Sequence, residues 1–314
     1  MSLPLLDLAA FASAFGAAER AGLLGAIGAA PDDAAGLARR LGLDPNATEL
    51  VLEVLRTWGI ATYDGGRYRA SALLDAERNR DLLLSIFAHT PELLRTGVPF
   101  FPQTDTAAGR AAVYAGVVPS LGERFARAAD ELAEALAPLG DDAELLDVGA
   151  GSAVWSLAQL ARLPSARLTA LDLPAVVGRA RERAEGLGLA DRVTLLPGDL
   201  HEASLEPRRF DRIILANVLH LEPAHAAEAI LARLAPALRP GGRFVLVDAM
   251  ATPTPEIDRS HHAYALFLAL RVPRSRAHPE SDLRAWLAAA GAPAARRIDL
   301  SGPPLGLSAL VSEP

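Results

Sequence analysis

Three aspartates close three successive apolar runs: Asp147 ends "ELLD", Asp172 ends "RLTALD" and Asp199 ends "RVTLLPGD". Directly after the first comes Gly149-Ala150-Gly151, where missing side chains let the backbone approach a ligand. A carboxylate about twenty residues past such a loop accepts hydrogen bonds from two ribose hydroxyls, which assigns that part to Asp172. Asp199 is placed to accept from the exocyclic amine of an adenine ring. A dinucleotide loop wants a third glycine three residues after the second, and Val154 stands there. For any one of the acids, capping of the next helix competes as an explanation. Three in succession beside a glycine loop favour a nucleoside site. No phosphate-binding cation accompanies them, which favours a nucleoside without pyrophosphate, and S-adenosylmethionine is such a ligand.

The acids share one edge only if the runs that carry them are parallel strands. "ELLDV", "RLTALD", "RVTLLP", "FDRIILA" and "RFVLVDAM" read as strands, separated by the helical stretches "AVWSLAQLARL", "PAVVGRARERAEGLGL" and "PAHAAEAILARLAPAL". A turn is expected at Pro240-Gly241-Gly242, a last long helix at "SDLRAWLAAAGA", and two short strand-like pieces around Gly302-Pro303-Pro304. Repeated β-α units require a parallel sheet, and nearly all-apolar strands require helices on both of its faces.

Composition narrows the chemistry. The 314 residues contain no Cys, and all 31 basic residues are Arg. Thiolate nucleophiles, cysteine-ligated metals, lysine Schiff bases and the P-loop lysine are therefore excluded. The formal charge of −7 argues against nucleic acid or an acidic membrane as partner. The apolar run Leu8–Ala18 is too short to span a bilayer and lacks a basic leader, so a cytoplasmic protein is expected.

The first ninety or so residues follow another plan. Asp32 and Asp33 open a helix that Gly42 stops, Asn46 caps the next, and Asp64-Gly65-Gly66 turns a hairpin. Helix, turn, helix, hairpin is the order of a winged helix. Its second helix carries Glu49 and Glu53 against Arg56 alone, which is the wrong sign for a DNA groove. Pairing of the apolar stretch Leu5–Ile27 with a second copy of the chain is expected instead. The division is set at 1–92 for a dimerisation domain and 93–314 for the α/β domain with its linker helices.

On "LLDVGAGSAVWSL", "ALDLPAVV", "RVTLLPGDL", "FDRIILANVLH", "LRPGGRFVLVDA" and "DLRAWLAAAGA", nearly the whole chain resembles the small-molecule O-methyltransferases of plant and bacterial natural-product type. The resemblance implies an α/β fold: a class I methyltransferase doubly wound sheet, mostly parallel with a C-terminal antiparallel strand, behind an N-terminal winged-helix-like dimerisation domain. It implies S-adenosylmethionine as donor. Gly149 and Gly151 would hold its methionine part, Asp172 its ribose and Asp199 its adenine. Leu173 and Leu200 would flank the adenosine, with Asp147 and Asn217 in the same group. It makes His220 of "VLH" the general base and Asp248 its supporting acid. His261, His262, Tyr264, Phe267 and Leu268 would contact the acceptor, a small aromatic or polyketide-like metabolite, and no metal is assigned.

This chain departs from the family at three places. "HDW" becomes His220-Leu221-Glu222, the second supporting acid becomes Ala277 with His278 and Glu280 nearby, and the basic residue four before the histidine becomes Ala216. The donor site is thus expected to lack a cation. Methylation at carbon or nitrogen stays open, as does a metal held by His220, Asp248 and His261 or His262. So do non-reactive use of the donor for cyclisation or decarboxylation, and a donor-sensing winged-helix regulator.

Overall fold

Two units of unequal size make up the chain, Met1–Ala88 and His89–Pro314. The computed structural model describes residues 5–72, 80–136, 138–140, 142–206, 209–250, 255–301 and 307–313.

The first unit consists of α1 (Leu5–Arg20), α2 (Leu23–Ala29), α3 (Ala34–Leu41), α4 (Pro45–Thr57), the hairpin β1 (Ala61–Asp64) and β2 (Arg67–Ala70), and α5 (Arg80–Ala88). Leu24, Ile27, Leu37, Leu52, Leu55 and Tyr68 form its core. The cap of α3 is Asp33, accepting from Gly36 N at 2.6 Å. The cap of α4 is Asp44, accepting from Ala47 N at 2.8 Å, and not Asn46 as expected. Pro45 explains the shift: its fixed φ and missing N–H suit the first helical position, so the cap must precede it. On α4, Arg56 is bound by Glu53 at 2.7 Å, and Tyr68 Oη donates to the same carboxylate at 2.7 Å. Its one cation is thus engaged within the unit. At the start of α1, Leu5, Leu6 and Leu8 are 82%, 78% and 45% exposed.

The second unit opens with α6 (Thr90–Thr96) and the long α7 (Ala107–Ala135). Then follow β3 (Glu144–Val148), α8 (Val154–Leu160), β4 (Arg167–Asp172), α9 (Gly178–Gly186), β5 (Val193–Pro197) and β6 (Phe210–Ala216). It ends with α10 (Ala224–Leu234), β7 (Leu238–Ala249), α11 (Pro255–Arg271), α12 (Glu280–Ala289), β8 (Ala295–Asp299) and β9 (Leu307–Ser312). The sheet order is β5-β4-β3-β6-β7-β9-β8. All pairs are parallel except those made by β9, which runs against both its neighbours. The expected turn at Pro240-Gly241-Gly242 lies inside β7, with Gly241 at φ 79° and a register shift between Phe210 and Arg212 opposite. Gly302-Pro303-Pro304 lies outside the described residues.

Strand periodicity distributes the core. Ile213, Leu215, Phe244 and Leu246 face α10 and α12 on one side. Ile214, Val245 and Val247 face α7 and α11 on the other. Within α7, Pro119 cannot donate to the carbonyl of Ala115, and Arg179 Nη2 reaches that oxygen at 3.4 Å. Chain order reverses between β3 and β6, so the crevice beyond their carboxyl ends is the place a ligand fits. No helix among the described residues is long and apolar enough to cross a membrane.

Candidate functional site

A cleft of about 940 Å³ lies at that crevice. Its floor is the glycine loop after β3. Gly149 and Gly151 adopt φ of 68° and 55°, and a Cβ on Gly149 would stand 2.6 Å from Val218 Cγ2. Both glycines are therefore required by conformation, and the first by space as well. Gly122 of α7 is equally tight, since a Cβ there would meet Ser152 Oγ at 2.4 Å.

Asp172 ties the loop to the next strand. Its Oδ2 accepts from Gly151 N at 2.7 Å and its Oδ1 from Leu173 N at 2.7 Å. Burial pushes this carboxyl above its ordinary value, while the two N–H groups pull it back. A carboxylate has about four lone-pair sites, so two remain for hydroxyls of a ligand. Asp199, Leu173, Leu200 and Asn217 also line the cleft. Asn217 sits at φ 57°, and neither its amide nitrogen nor its amide oxygen has a partner among the described residues. An unpartnered buried amide in a cleft is a group that an ordered water or a ligand would satisfy.

Asp147 departs from expectation. It is buried and does not line the cleft; its carboxyl accepts from Ser156 Oγ at 2.5 Å, beneath the loop. It closes the apolar strand β3 one residue before the loop turns outward, so its side chain points into the packing against α8. Nor does the donor cleft lack a cation. Arg110, from the start of α7, lines it and binds Asp199 Oδ2 at 3.1 Å. Tyr114, Val118 and Phe125 of the same helix add to the wall. Sequence reasoning missed all four, and the lone signal for them was glycines at 116 and 122 thinning one face of a long helix.

His220 stands in a short turn after β6, 3% exposed. Its Nδ1 is 2.8 Å from Asp248 Oδ1, which also accepts from Ala249 N at 2.8 Å. Tyr264 meets the imidazole at 89° between rings, its Oη 3.4 Å from both ring nitrogens. Burial drives the Tyr264 hydroxyl well above its ordinary range, so it stays neutral. His278 holds the turn from behind, its Nε2–H shared between the carbonyls of Leu219 and Glu222 at 3.0 Å each. Glu280 is engaged by Arg284 and Arg297 and supports α12 instead of the histidine.

The expected acceptor wall is not a wall of this cleft. His262 is exposed, Leu268 is wholly buried in the core, Phe267 lies under Arg271, and Tyr264 covers His220. The side chain of His261 lies outside the described residues. A second cavity of about 790 Å³ instead adjoins the cleft and shares Arg110, Tyr114, Leu221 and Glu222 with it. His220 lines neither. Among the described residues no three His, Asp or Glu side chains converge as metal ligands.

Strand order, the lone antiparallel strand and a glycine-floored cleft at the switch point define a class I methyltransferase fold. The O-methyltransferase domain family matches residues 96–293, and the chain belongs to it. Over 128 residues the chain is 35% identical to a mitomycin biosynthesis 6-O-methyltransferase of Streptomyces lavendulae, covering 41% of this chain and 34% of that one. It thus spans about a third of that relative's length. Over 293 residues it is 28% identical to the tetracenomycin polyketide synthesis 8-O-methyl transferase of Streptomyces glaucescens, covering 85% and 83%. The solved structure of PigF with SAH has a TM-score of 0.74 at 19% identity, covering 99% of both chains, and shares the fold.

The buried acid beneath the loop gives a stability test. Burial, opposed by Ser156 and reinforced by the charge of Asp172, pushes the Asp147 carboxyl from 3.8 up to about 7. Between those values the folded chain holds a proton that the unfolded chain has released, so stability falls as pH rises through the window. Three pK units correspond to about 4 kcal/mol. Asp147→Asn, which still accepts from Ser156, should raise the melting temperature at pH 8 by several degrees and by much less at pH 4.5. Scanning calorimetry at both pH values checks this, and an equal gap at the two would contradict it.

Proposed function

We propose that this chain transfers the methyl group of S-adenosylmethionine to a hydroxyl oxygen of a small aromatic or polyketide-like secondary metabolite. The observation that carries the reading is the convergence of Asp172, Asp199 and the unpartnered amide of Asn217 around a glycine floor. Two acceptors and one amide, without a phosphate cradle, suit a nucleoside joined to an amino acid. Gly149 and Gly151 would face its methionine part, Asp172 the ribose and Asp199 the adenine amine, with Leu173 and Leu200 against the base. Relatives named for mitomycin and tetracenomycin synthesis support the choice of acceptor class.

When bound, the donor supplies a methyl group already activated by positive sulfur. The protein's own task is then to hold an oxygen in line with that carbon and to take its proton. His220 is built for the second part. Asp248 at Nδ1 fixes the tautomer that leaves Nε2 as the accepting nitrogen, and stabilises the charge that follows. Tyr264 Oη stands 3.4 Å from that nitrogen, so an acceptor hydroxyl reaches it when the phenol ring turns aside.

The first unit serves, on this reading, to join two copies of the chain. The exposed leucines at the start of α1 support it, since a row of large apolar side chains in water favours a partner of the same kind.

Three measurements test these assignments. Asp172→Ala should weaken S-adenosylmethionine binding by at least about a hundredfold in calorimetry, through loss of charge-assisted bonds and of the loop's anchor; unchanged affinity would reject the ribose assignment. His220→Ala should keep donor affinity within a factor of two and lower turnover by about a hundredfold, measured as labelled methyl in product. Little change in rate would mean that alignment alone suffices, and a product altered but unlabelled would reject methyl transfer. Light scattering should find a dimer at micromolar concentration, shifted to monomer by the triple change Leu5→Ser, Leu6→Ser and Leu8→Ser. A monomeric unaltered protein would dispose of the dimer.

A further inference from the structure

Three carboxylates line the donor cleft, those of Asp172, Asp199 and Glu222. The first two have parts in the assignments above, and the third has none. Glu222 is 8% exposed, and its main chain is fixed on both sides. Its N–H donates to the Leu219 carbonyl at 3.0 Å, and its own carbonyl accepts from His278 Nε2 at 3.0 Å. On the side chain, Oε1 accepts from His201 Nε2 at 3.0 Å, and among the described residues none bonds Oε2. A buried carboxylate oxygen that faces a cleft is costly until a donor meets it.

We propose that Glu222 reads the base of the donor, its Oε2 accepting from the exocyclic amine of adenine beside Asp199. The proposal rests on the donor reading given above. It deepens that reading by adding a residue that selects adenine. Where the resembling enzymes read "HDW", the third place here is glutamate, so this acceptor belongs to the present chain.

Position and chemistry together select the amine. His201 ties the two acids to each other: its main-chain N–H donates to Asp199 Oδ1 at 2.9 Å, and its ring meets Glu222. Glu222 therefore stands on the Asp199 side of the cleft, the side given to adenine. Of the donor groups on S-adenosylmethionine, the ribose hydroxyls fall to Asp172 and the ammonium group to the glycine-loop end. The exocyclic amine remains. Asp199 comes to it already engaged at both oxygens, by His201 N and by Arg110 Nη2 at 3.1 Å, and its charge is balanced by the guanidinium. Glu222 has a whole oxygen to give. An exocyclic amine carries two N–H groups, one for each carboxylate. Hypoxanthine presents a carbonyl oxygen at the same place, which would set one acceptor against two others.

Calorimetry on the full-length protein, with S-adenosylhomocysteine and its deaminated counterpart S-inosylhomocysteine as probes, tests the assignment. The adenosyl form should bind at least about thirtyfold more tightly, a preference that falls below about fivefold in Glu222→Gln and in Glu222→Met. The inosyl form should keep or gain affinity in Glu222→Gln, whose amide can donate to the base carbonyl; a merely damaged site would lose it. A preference below about threefold in the unaltered protein would overturn the proposal. So would a preference that keeps its size in both variants, including by weakening of both ligands alike, and the base would then fall to Asp199 alone. Failure of S-adenosylhomocysteine to bind the unaltered protein would instead remove the donor reading, and this one with it.

Discussion

The carboxylate of Asp172 bridges the glycine loop and the residue that follows its own strand, and most of the site depends on that bridge. Twenty-one residues separate it from Gly151, yet one oxygen holds the Gly151 N–H and the other the N–H of Leu173. The loop can take that path because Gly149 and Gly151 adopt left-handed conformations, and it can lie that deep because Gly149 presents no Cβ to Val218. Val218 in turn belongs to the segment that places Asn217 and His220. Floor, anchor and wall are therefore one packed assembly on three strand ends. A charge removed at Asp172 would release two backbone donors as well as any ligand contact.

Electrostatics follow from the same packing. Burial raises the cost of ionising both Asp147 and Asp172, and the charge of Asp172 adds to it at Asp147. The fold offsets part of that cost with donors, one serine hydroxyl for the deeper acid and two amide N–H groups for the shallower. Asp199 is treated differently, since it keeps an arginine. That arginine arrives from α7, 89 residues earlier in the chain, and stands where the donor cleft meets its neighbour.

This distance explains which features were legible in the sequence. The strand-end acids and the glycine loop are local signals, because strand, turn and helix succeed one another along the chain and each acid follows its own apolar run. The parallel sheet follows from the same alternation. Arg110, Tyr114 and Val118 carry no such mark: they sit in one long helix whose apolar positions read as ordinary packing, and the chain alone does not say which strand edge that helix crosses. Asp147 misled for a related reason. A strand end gives the position of an acid but not its face, and period two sends alternate residues to opposite sides. The expected acceptor residues stay off the cleft through helix phase. In α11 the residues at 264 and 268 fall on the buried stripe that packs on the sheet, so Tyr264 and Leu268 are spent on the core and on covering His220.

The departure from "HDW" at residues 220–222 acquires a physical meaning in this frame. Leucine at 221 and glutamate at 222 both line the donor cleft and the second cavity, whereas the histidine before them lines neither. A short helical turn cannot point three successive side chains the same way, so a residue that faces the cavities must be bought with one that faces the interior. Here the interior place goes to His220, where Asp248, Tyr264 and the turn held by His278 surround it. The place facing the cavities goes to Glu222, a mostly buried carboxylate already bonded to His201. The partition between the two cavities thus carries paired groups, Arg110 with Asp199 and His201 with Glu222, and His201 N donates to Asp199 at 2.9 Å, linking the two pairs.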